Sequence, residues 1–206
     1  MFKGEILEKC KIILASSSPR RRTLFDEFNL KYSVVVPDIE ETRIPGEKPI
    51  EFVKRIAGEK ALNAATKLTD KSAPSIIVAA DTIVVLDNEI LGKPKDSEDA
   101  VKMLKRLSGK THKVITGWAA GILKKNWIVE ACITEVTFYP LTENEIIKYV
   151  ETKEPLDKAG AYGIQEKGGA LVKEINGSYF NVVGLPMEQL LRALKELNGI
   201  DEIFVK

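Results

Sequence analysis

The length, composition and charge of this 206-residue chain are those of an ordinary globular protein, with 44% hydrophobic and 30% charged residues. Its 31 lysines and arginines balance 30 aspartates and glutamates, which excludes the overall basic excess typical of general nucleic-acid or membrane binders. Recognition of an anion must therefore depend on a local cluster of charge.

The cysteines and the apolar segments indicate a reducing, aqueous compartment. Cys10 and Cys132 lack the spacing of a zinc or redox motif, so we expect free thiols. Charges interrupt the N-terminal apolar residues too often for a signal peptide, and no apolar run approaches the roughly 20 residues of a membrane span. We therefore expect a cytoplasmic protein without a membrane partner.

The first part of the chain predicts strands that alternate with helices. KIILA, residues 11–15, is typical of a short buried strand, and Ser18-Pro19 is typical of a helix start with serine as the N-cap. KYSVVVPD predicts a second strand, and the acidic loop DIEETRIPGEKP follows it. Apolar residues then recur at helical spacing from about Pro49 to Leu68.

The rest of the chain predicts a sheet with strands of both directions. SIIVAADTIVVLDNEILGKP indicates a long buried strand, a turn near Asp87-Asn88 and a return, and SEDAVKMLKRLSGK indicates a helix. The apolar segments HKVITGWAAGIL and WIVEACITEVTFYP then predict paired strands. Thr142 with Glu145 predicts a capping box, and a closing helix is expected from Pro186 to about Asn198. We expect a single α/β domain, residues 1–206, with a mixed sheet flanked by helices.

The segment LASSSPRRR places Arg20, Arg21 and Arg22 in the first turn of the first predicted helix. The helix dipole is positive there, and each cation is disfavoured by about 0.3 to 1 kcal/mol. A bound anion would remove this conflict, because the serine hydroxyls, the backbone N–H groups and the arginines together could hold a phosphate. An ordinary solvated basic turn is the alternative.

Asp81 is a carboxylate inside the apolar strand IIVAADTIVVL. Without a partner, a carboxylate buried there is costly. A metal ion, a lysine or a water molecule awaiting deprotonation would each explain its presence. The alternative is a structural carboxylate that accepts hydrogen bonds from backbone amides.

Lysines near these segments could neutralise phosphate charge. Helical projection places Lys60 between Val53 and Ile56 at one edge of an apolar stripe, so it points inward or along a cleft. Lys54 lies at the opposite edge, and for both residues snorkelling to solvent is the alternative. Lys93, in the turn LGKP, follows the Asp81 strand closely.

The remaining polar residues favour hydrolysis of a phosphoanhydride over other chemistries. The acidic loop with Asp38, Glu40 and Glu41 could supply oxygen ligands to Mg²⁺ or Mn²⁺, although such loops are commonly only solvated. His112 is the sole histidine, which argues against a histidine-dependent triad or a multi-histidine metal site. No P-loop sequence is present, so a P-loop NTPase has little support.

The sequence resembles the Maf family of nucleoside triphosphate pyrophosphatases from about Lys11 to Leu190. The matching segments, in order, are LASSSPRRR, IEET, AGEKALNAA, AADTIVVLDNEILGKP, LSGKTHKVITG and DKAGAYGIQEKGGALVKEINGSYFNVVGLP. The resemblance implies metal-dependent hydrolysis of a nucleoside triphosphate to the monophosphate and pyrophosphate. It also implies a homodimer and a fold similar to inosine triphosphate pyrophosphatases, with two lobes around a cleft.

The resemblance further implies roles for individual residues. Asp81 matches the proton acceptor that activates water, and the remaining polar residues of the cleft match Ser16, Arg20, Glu41, Lys60 and Lys93. We expect Glu41 and Asp81 to hold the divalent ion, Mg²⁺ or Mn²⁺, while Lys60 and Lys93 neutralise the phosphates. Of the other two arginines, we expect Arg21 to pack toward the core or to assist, and Arg22 to be solvated.

Three positions resemble the branch of the family that hydrolyses dTTP and UTP, namely Arg20, Thr82 and Gln165. We infer that the Gln165 amide, which both donates and accepts hydrogen bonds, suits the O4 and N3–H edge shared by thymine and uracil. A non-catalytic nucleotide-binding regulator, linked to cell division, is the alternative function. Nucleic-acid binding is disfavoured by the near-neutral charge balance.

Overall fold

A computed structural model describes residues 10–68, 74–122 and 125–198, which form a mixed β-sheet with helices. The strands are β1 (Lys11–Ala15), β2 (Tyr32–Val34), β3 (Ser75–Leu86), β4 (Glu89–Leu91), β5 (Thr111–Ile122), β6 (Trp127–Phe138) and β7 (Val172–Asn176). The α-helices are α1 (Pro19–Glu27), α2 (Pro49–Thr66), α3 (Ser97–Leu107), α4 (Glu143–Glu151), α5 (Tyr179–Val183) and α6 (Met187–Asn198). Within these ranges, no helix has the length and apolar character needed to cross a membrane.

The sheet combines parallel and antiparallel pairs in the order β2-β1-β3-β5-β6-β7, with β4 paired to β3 outside this path. β1 lies parallel to both β2 and β3, and Leu14 is opposite Val34 on one side and Val78 on the other. The pairs β3–β4 and β6–β7 are antiparallel. The predicted mixed sheet is therefore confirmed.

The chain divides into two compact units. The first contains Met1–Asp81, Thr116–Ala131 and Gly184–Lys206, and the second contains Thr82–Ile115 and Cys132–Val183. Strands β3, β5 and β6 each contribute residues to both units. Asp81 and Thr82 are thus neighbours along β3 but belong to different units.

In the first unit, α2 packs on the sheet through small side chains. The buried cluster consists of Ile13, Ala15, Ala57, Ala61, Ala64, Ala65, Ile77, Ala79 and Ala119. At Gly117 of β5, a Cβ atom would lie 2.2 Å from the Val53 carbonyl oxygen, so the backbone of α2 passes directly against this strand. This contact fixes the helix that carries Lys60.

The second unit encloses an aromatic cluster around the sole histidine. His112 is 2% exposed, and its ring lies edge-on to Phe138 and Tyr162 at centroid distances of 5.0 and 5.4 Å. His112 Nε2 is 2.8 Å from the Tyr162 hydroxyl, whereas its buried Nδ1 has no hydrogen-bond partner among the described residues. Burial lowers the pKa of His112 to about 4, so this histidine is neutral and packs structurally.

Several element boundaries differ from the predicted ones. The strand predicted for KYSVVVPD is limited to Tyr32–Val34, and the predicted α2 ends at Thr66, two residues before Leu68. Neither β7 nor α5 was predicted. β7 is a sheet edge with exposed Lys173 and Glu174 and lacks an alternating apolar pattern, and α5 has only five residues. A strand without an alternation of apolar and polar residues gives little signal in the sequence.

We predict opposite effects for alanine at two glycines of the first unit. Gly117→Ala places Cβ against the α2 backbone and should lower the free energy of unfolding by about 3 kcal/mol or more. Gly58, inside α2, has open space around its Cβ direction, so Gly58→Ala should raise it by about 0.5 to 1 kcal/mol. Urea denaturation measures both values, and a wild-type stability for Gly117→Ala would contradict the packing described.

We also predict a loss of stability in acid that depends on His112. Its folded pKa of about 4 lies below the ordinary 6.5, so between these values the unfolded chain binds a proton that the folded chain does not. As the pH falls through this window, the free energy of unfolding should decrease by roughly 3 kcal/mol from this residue. Urea denaturation at about pH 7 and about pH 4.5 should show a smaller decrease for His112→Asn. An equal decrease in both proteins would exclude His112 as the source.

Candidate active site

The turn between β1 and α1 is built around the hydroxyl of Ser16, which is 3% exposed. Ser16 Oγ accepts hydrogen bonds from the Ser18 backbone N–H at 3.1 Å and from Arg21 Nη1 at 3.2 Å. Ser18 occupies the N-cap position of α1 with Pro19 at the first helical position, as predicted, although the Ser18 side chain makes no capping hydrogen bond. The hydroxyl that serves the start of α1 belongs to Ser16, because its Oγ binds the Ser18 N–H.

The three arginines of α1 have different environments. Arg21 is 8% exposed, and its Nε donates to the Gly184 carbonyl at 2.8 Å. Burial lowers the pKa of Arg21, and the nearby Asp81 carboxylate opposes this shift. Arg20 is half-buried, and its assignment to substrate stays a prediction. Arg22 is also half-buried, and its Nε is buried, so the expected solvation of Arg22 is only partial.

A lysine ammonium joins two carboxylates in the first unit. Lys60 Nζ lies 2.7 Å from Glu41 Oε1 and 2.8 Å from Asp81 Oδ1. Lys60 and Asp81 are both buried, whereas the Glu41 side chain is half exposed. Lys60 therefore points inward as projected, and the partner of the Asp81 carboxylate is a lysine. Lys54, at the other edge of the stripe, instead pairs with Glu130 at the surface.

Side chains of α2 hold the acidic loop on both sides of Glu41. Arg55 donates to both carboxylate oxygens of Glu47 at 2.7 and 2.8 Å, and to the carbonyl of Thr42 at 2.9 Å. On the other side, the Asn63 amide exchanges hydrogen bonds with the Asp38 backbone at 3.0 and 3.1 Å. Sequence analysis missed Arg55 and Asn63, although their spacing of eight places both on one helix face.

The other predicted site residues belong to the second unit. Thr82 is half-buried on β3, and Lys93 is exposed between β4 and α3. Gln165 is half-buried within the glycine-rich segment AGAYGIQEKGGA, residues 159–170. The Gly160 N–H donates to the Gly92 carbonyl at 3.0 Å, which joins the turn with Lys93 to the start of that segment. Lys93 and Gln165 are thus carried by two segments that contact each other within one unit.

The carboxylates of Glu41 and Asp81 fit a hard divalent cation. Both are oxygen donors of the type that Mg²⁺ and Mn²⁺ prefer, and together with Lys60 they carry a net negative charge. No cluster of three or more potential metal-binding side chains occurs in the part of the chain that the structure describes. Water and phosphate oxygens would therefore complete the coordination, as is common for Mg²⁺ in nucleotide sites.

The arrangement can bind an anion and accept a proton. Arg21 and Lys60 supply positive charge, and Ser16 supplies a hydroxyl close to the first turn of α1. Lys60 Nζ donates a hydrogen bond to Asp81 Oδ1, whereas Asp81 Oδ2 accepts no hydrogen bond from the described residues. A buried carboxylate with one available oxygen, next to fixed cations, is suited to general-base catalysis on a phosphorylated substrate.

Known proteins share sequence similarity with most of this chain. A family model described as Maf-like protein matches residues 11–197. A relative from Clostridium botulinum (strain Alaska E43 / Type E3) is 48% identical over 188 residues, which cover 90% of this chain and 98% of the relative. One from Bacillus cytotoxicus is 48% identical over 189 residues, which cover 92% and 96%. Both relatives are named dTTP/UTP pyrophosphatase.

Solved structures support the fold independently. A HAM1 protein from Coxiella burnetii is 18% identical with a TM-score of 0.51, and the match covers 91% of this chain and 99% of that one. The Ham1 protein of Staphylococcus aureus is 19% identical with a TM-score of 0.51, and the match covers 90% and 98%. At this identity the likeness concerns the fold alone. The family match and the relatives together establish that this chain belongs to the Maf family.

Proposed function

We propose that this chain hydrolyses dTTP and UTP to the nucleoside monophosphate and pyrophosphate. The observation that carries the proposal is the buried ion pair of Asp81 with Lys60, which places a carboxylate base beside a phosphate-binding cation. The names of the relatives supply the substrate class, since relatives 48% identical to this chain are dTTP/UTP pyrophosphatases. A non-catalytic regulator is not favoured, because those names describe enzymes.

In this proposal Asp81 accepts the proton of the attacking water. The water oxygen forms a bond to the α-phosphorus. The bond between this phosphorus and the α–β bridging oxygen breaks, and its electron pair leaves with pyrophosphate. Lys60 and Lys93 offset the charge that accumulates on the departing group, and Ser16 and Arg20 bind the triphosphate. Arg21 joins this set, because its guanidinium lies against Ser16 and close to Asp81.

A divalent cation, Mg²⁺ or Mn²⁺, completes the proposed site, with Glu41 and Asp81 as its protein ligands. When bound, such a cation stabilises negative charge on phosphate oxygens. Arg55 and Asn63 keep Glu41 in place by holding the loop on either side of it. Arg20, Thr82 and Gln165 are proposed to select the pyrimidine base.

We also propose that the reaction takes place in the cytoplasm. Cys10 and Cys132 form no disulfide with each other, which suits the reducing conditions of the cytoplasm. A homodimer, and the lack of a nucleic-acid partner, stay predictions.

Replacement of the proposed base tests the catalytic role of Asp81. Asp81→Asn keeps the shape of the side chain but cannot take up a proton, so kcat for UTP and dTTP should fall about 100-fold or more. Asp87→Asn is the matched control, because Asp87 is exposed in a turn whose left-handed backbone asparagine tolerates. Pyrophosphate release measures kcat, and thermal unfolding verifies that both variants fold. Wild-type turnover by Asp81→Asn would refute the role.

Replacement of Glu41 tests the proposed metal ligand. Glu41→Gln should weaken Mn²⁺ binding about tenfold or more, equivalent to ~1.4 kcal/mol, because a charged oxygen donor is lost. The matched control is Glu40→Gln, an exposed neighbour in the same loop. Electron paramagnetic resonance of Mn²⁺ in the presence of a non-hydrolysable UTP analogue gives the affinity without turnover. Equal affinities for the two variants would remove Glu41 from the metal site.

A further inference from the structure

Residues 163–168 form a glycine-containing loop, here called the Gln165 loop, whose two ends are held by one pair of side chains. At its start, the Gly163 N–H donates to the Tyr149 hydroxyl oxygen at 3.2 Å. At its end, the N–H groups of Lys167 and Gly168 donate to Glu154 Oε2 and Oε1 at 3.2 and 3.1 Å. Between these anchors lie only Ile164, Gln165 and Glu166.

The two anchoring side chains are connected to each other. The Tyr149 hydroxyl donates to Glu154 Oε1 at 2.9 Å, so one hydrogen-bonded pair joins the start of the loop to its end. Tyr149 is 5% exposed on α4, where it packs into the core of the second unit, and burial raises the pKa of its hydroxyl. We call Tyr149 and Glu154 the loop clamp.

Close packing leaves the ends of the loop little freedom. A Cβ atom on Gly168 would lie 2.4 Å from the Tyr149 hydroxyl oxygen and 2.5 Å from the Gly163 carbonyl oxygen. A Cβ atom on Gly163 would lie 2.5 Å from Cε of Lys158, a lysine that is 6% exposed. Lys158 Nζ in turn donates to the Glu154 carbonyl at 2.7 Å and fixes the residue that carries the clamp carboxylate.

The side chain of Gln165, at the centre of the loop, makes no hydrogen bond with the described residues and is half-buried. Its amide donor and acceptor are therefore available to a ligand, while the backbone on both sides is anchored within two or three residues. A loop with rigid ends and an available amide at its centre has the properties of a preorganised recognition element.

We propose that Tyr149 and Glu154 are positioning residues for base selectivity, acting through the Gln165 amide. This inference rests on the proposed function, because it concerns the uracil and thymine edges of UTP and dTTP. The clamp contacts neither the phosphates nor the reacting water in this scheme. Its loss should therefore change the preference among bases more than it changes catalysis.

The first test compares UTP with ATP in variants of the clamp. Tyr149→Phe removes the hydroxyl and keeps the buried ring, and Glu154→Gln replaces an acceptor oxygen with a donor. In each variant, kcat/KM for UTP divided by that for ATP should fall about tenfold, the size of one well-placed hydrogen bond. This ratio is independent of the fraction of folded enzyme, since both substrates are assayed with the same preparation.

Matched controls are available in the same unit. Tyr139→Phe and Glu151→Gln change exposed residues outside the clamp and should retain the wild-type ratio. A fall of both kcat/KM values by the same factor in the clamp variants, with an unchanged ratio, would overturn the inference. It would leave the proposed function intact, because wild-type hydrolysis of UTP and dTTP tests that separately. If the wild type hydrolysed neither nucleotide, both would fall together.

The second test asks whether the clamp acts through Gln165. In a Gln165→Ala background, adding Tyr149→Phe or Glu154→Gln should change the UTP/ATP ratio by less than about twofold, because the positioned amide is already gone. A full tenfold decrease in that background would show that the clamp acts elsewhere, and would overturn the inference.

The third test needs no variant that might fail to fold. In the wild-type protein, the Gly163, Lys167 and Gly168 amides should exchange with deuterium at least about 100-fold more slowly than in an unstructured chain. Exchange at the unstructured rate would show that the loop is not anchored, and would overturn the inference without affecting the proposed hydrolysis.

Discussion

The site depends on one ammonium group that faces two carboxylates inside the first unit. Lys60 meets Asp81 from a sheet strand and Glu41 from a loop, and two of the three residues are buried. Removing one partner of a buried ion pair costs about 3 to 5 kcal/mol, because the remaining charge loses its compensation. The lysine thus contributes to the stability of this region, and in the proposed function it also binds phosphate.

The helix that carries this ammonium group, α2, packs with its backbone directly against the sheet. Alanines cover its inner face, and Gly117 permits backbone contact with β5. The same helix uses its outer side chains, Arg55 and Asn63, to hold the loop of Glu41. Packing on one face of α2 and hydrogen bonding on another therefore place Lys60 and Glu41 within reach of each other.

Residues with strong local patterns could be predicted from sequence, whereas roles that depend on long-range contacts could not. A carboxylate in the apolar strand of Asp81 and the helical projection of Lys60 each indicated burial, and the structure confirms both. The sequence left open whether Arg21 packs toward the core or assists, because its hydrogen bond to Gly184 spans 163 residues. Sequence patterns indicated no role for Glu154, because its carboxylate accepts hydrogen bonds only after the Gln165 loop has folded onto it.

The hydrogen bond from Arg21 to Gly184 has a consequence for synthesis of the protein on the ribosome. The arginine emerges early, but its carbonyl acceptor is made only after most of the chain has been translated. Until then the guanidinium lacks this acceptor, whereas the acceptor Ser16 Oγ, five residues away in sequence, is already present. Nascent chains that end before Gly184 therefore lack one of the two hydrogen bonds described for the Arg21 guanidinium.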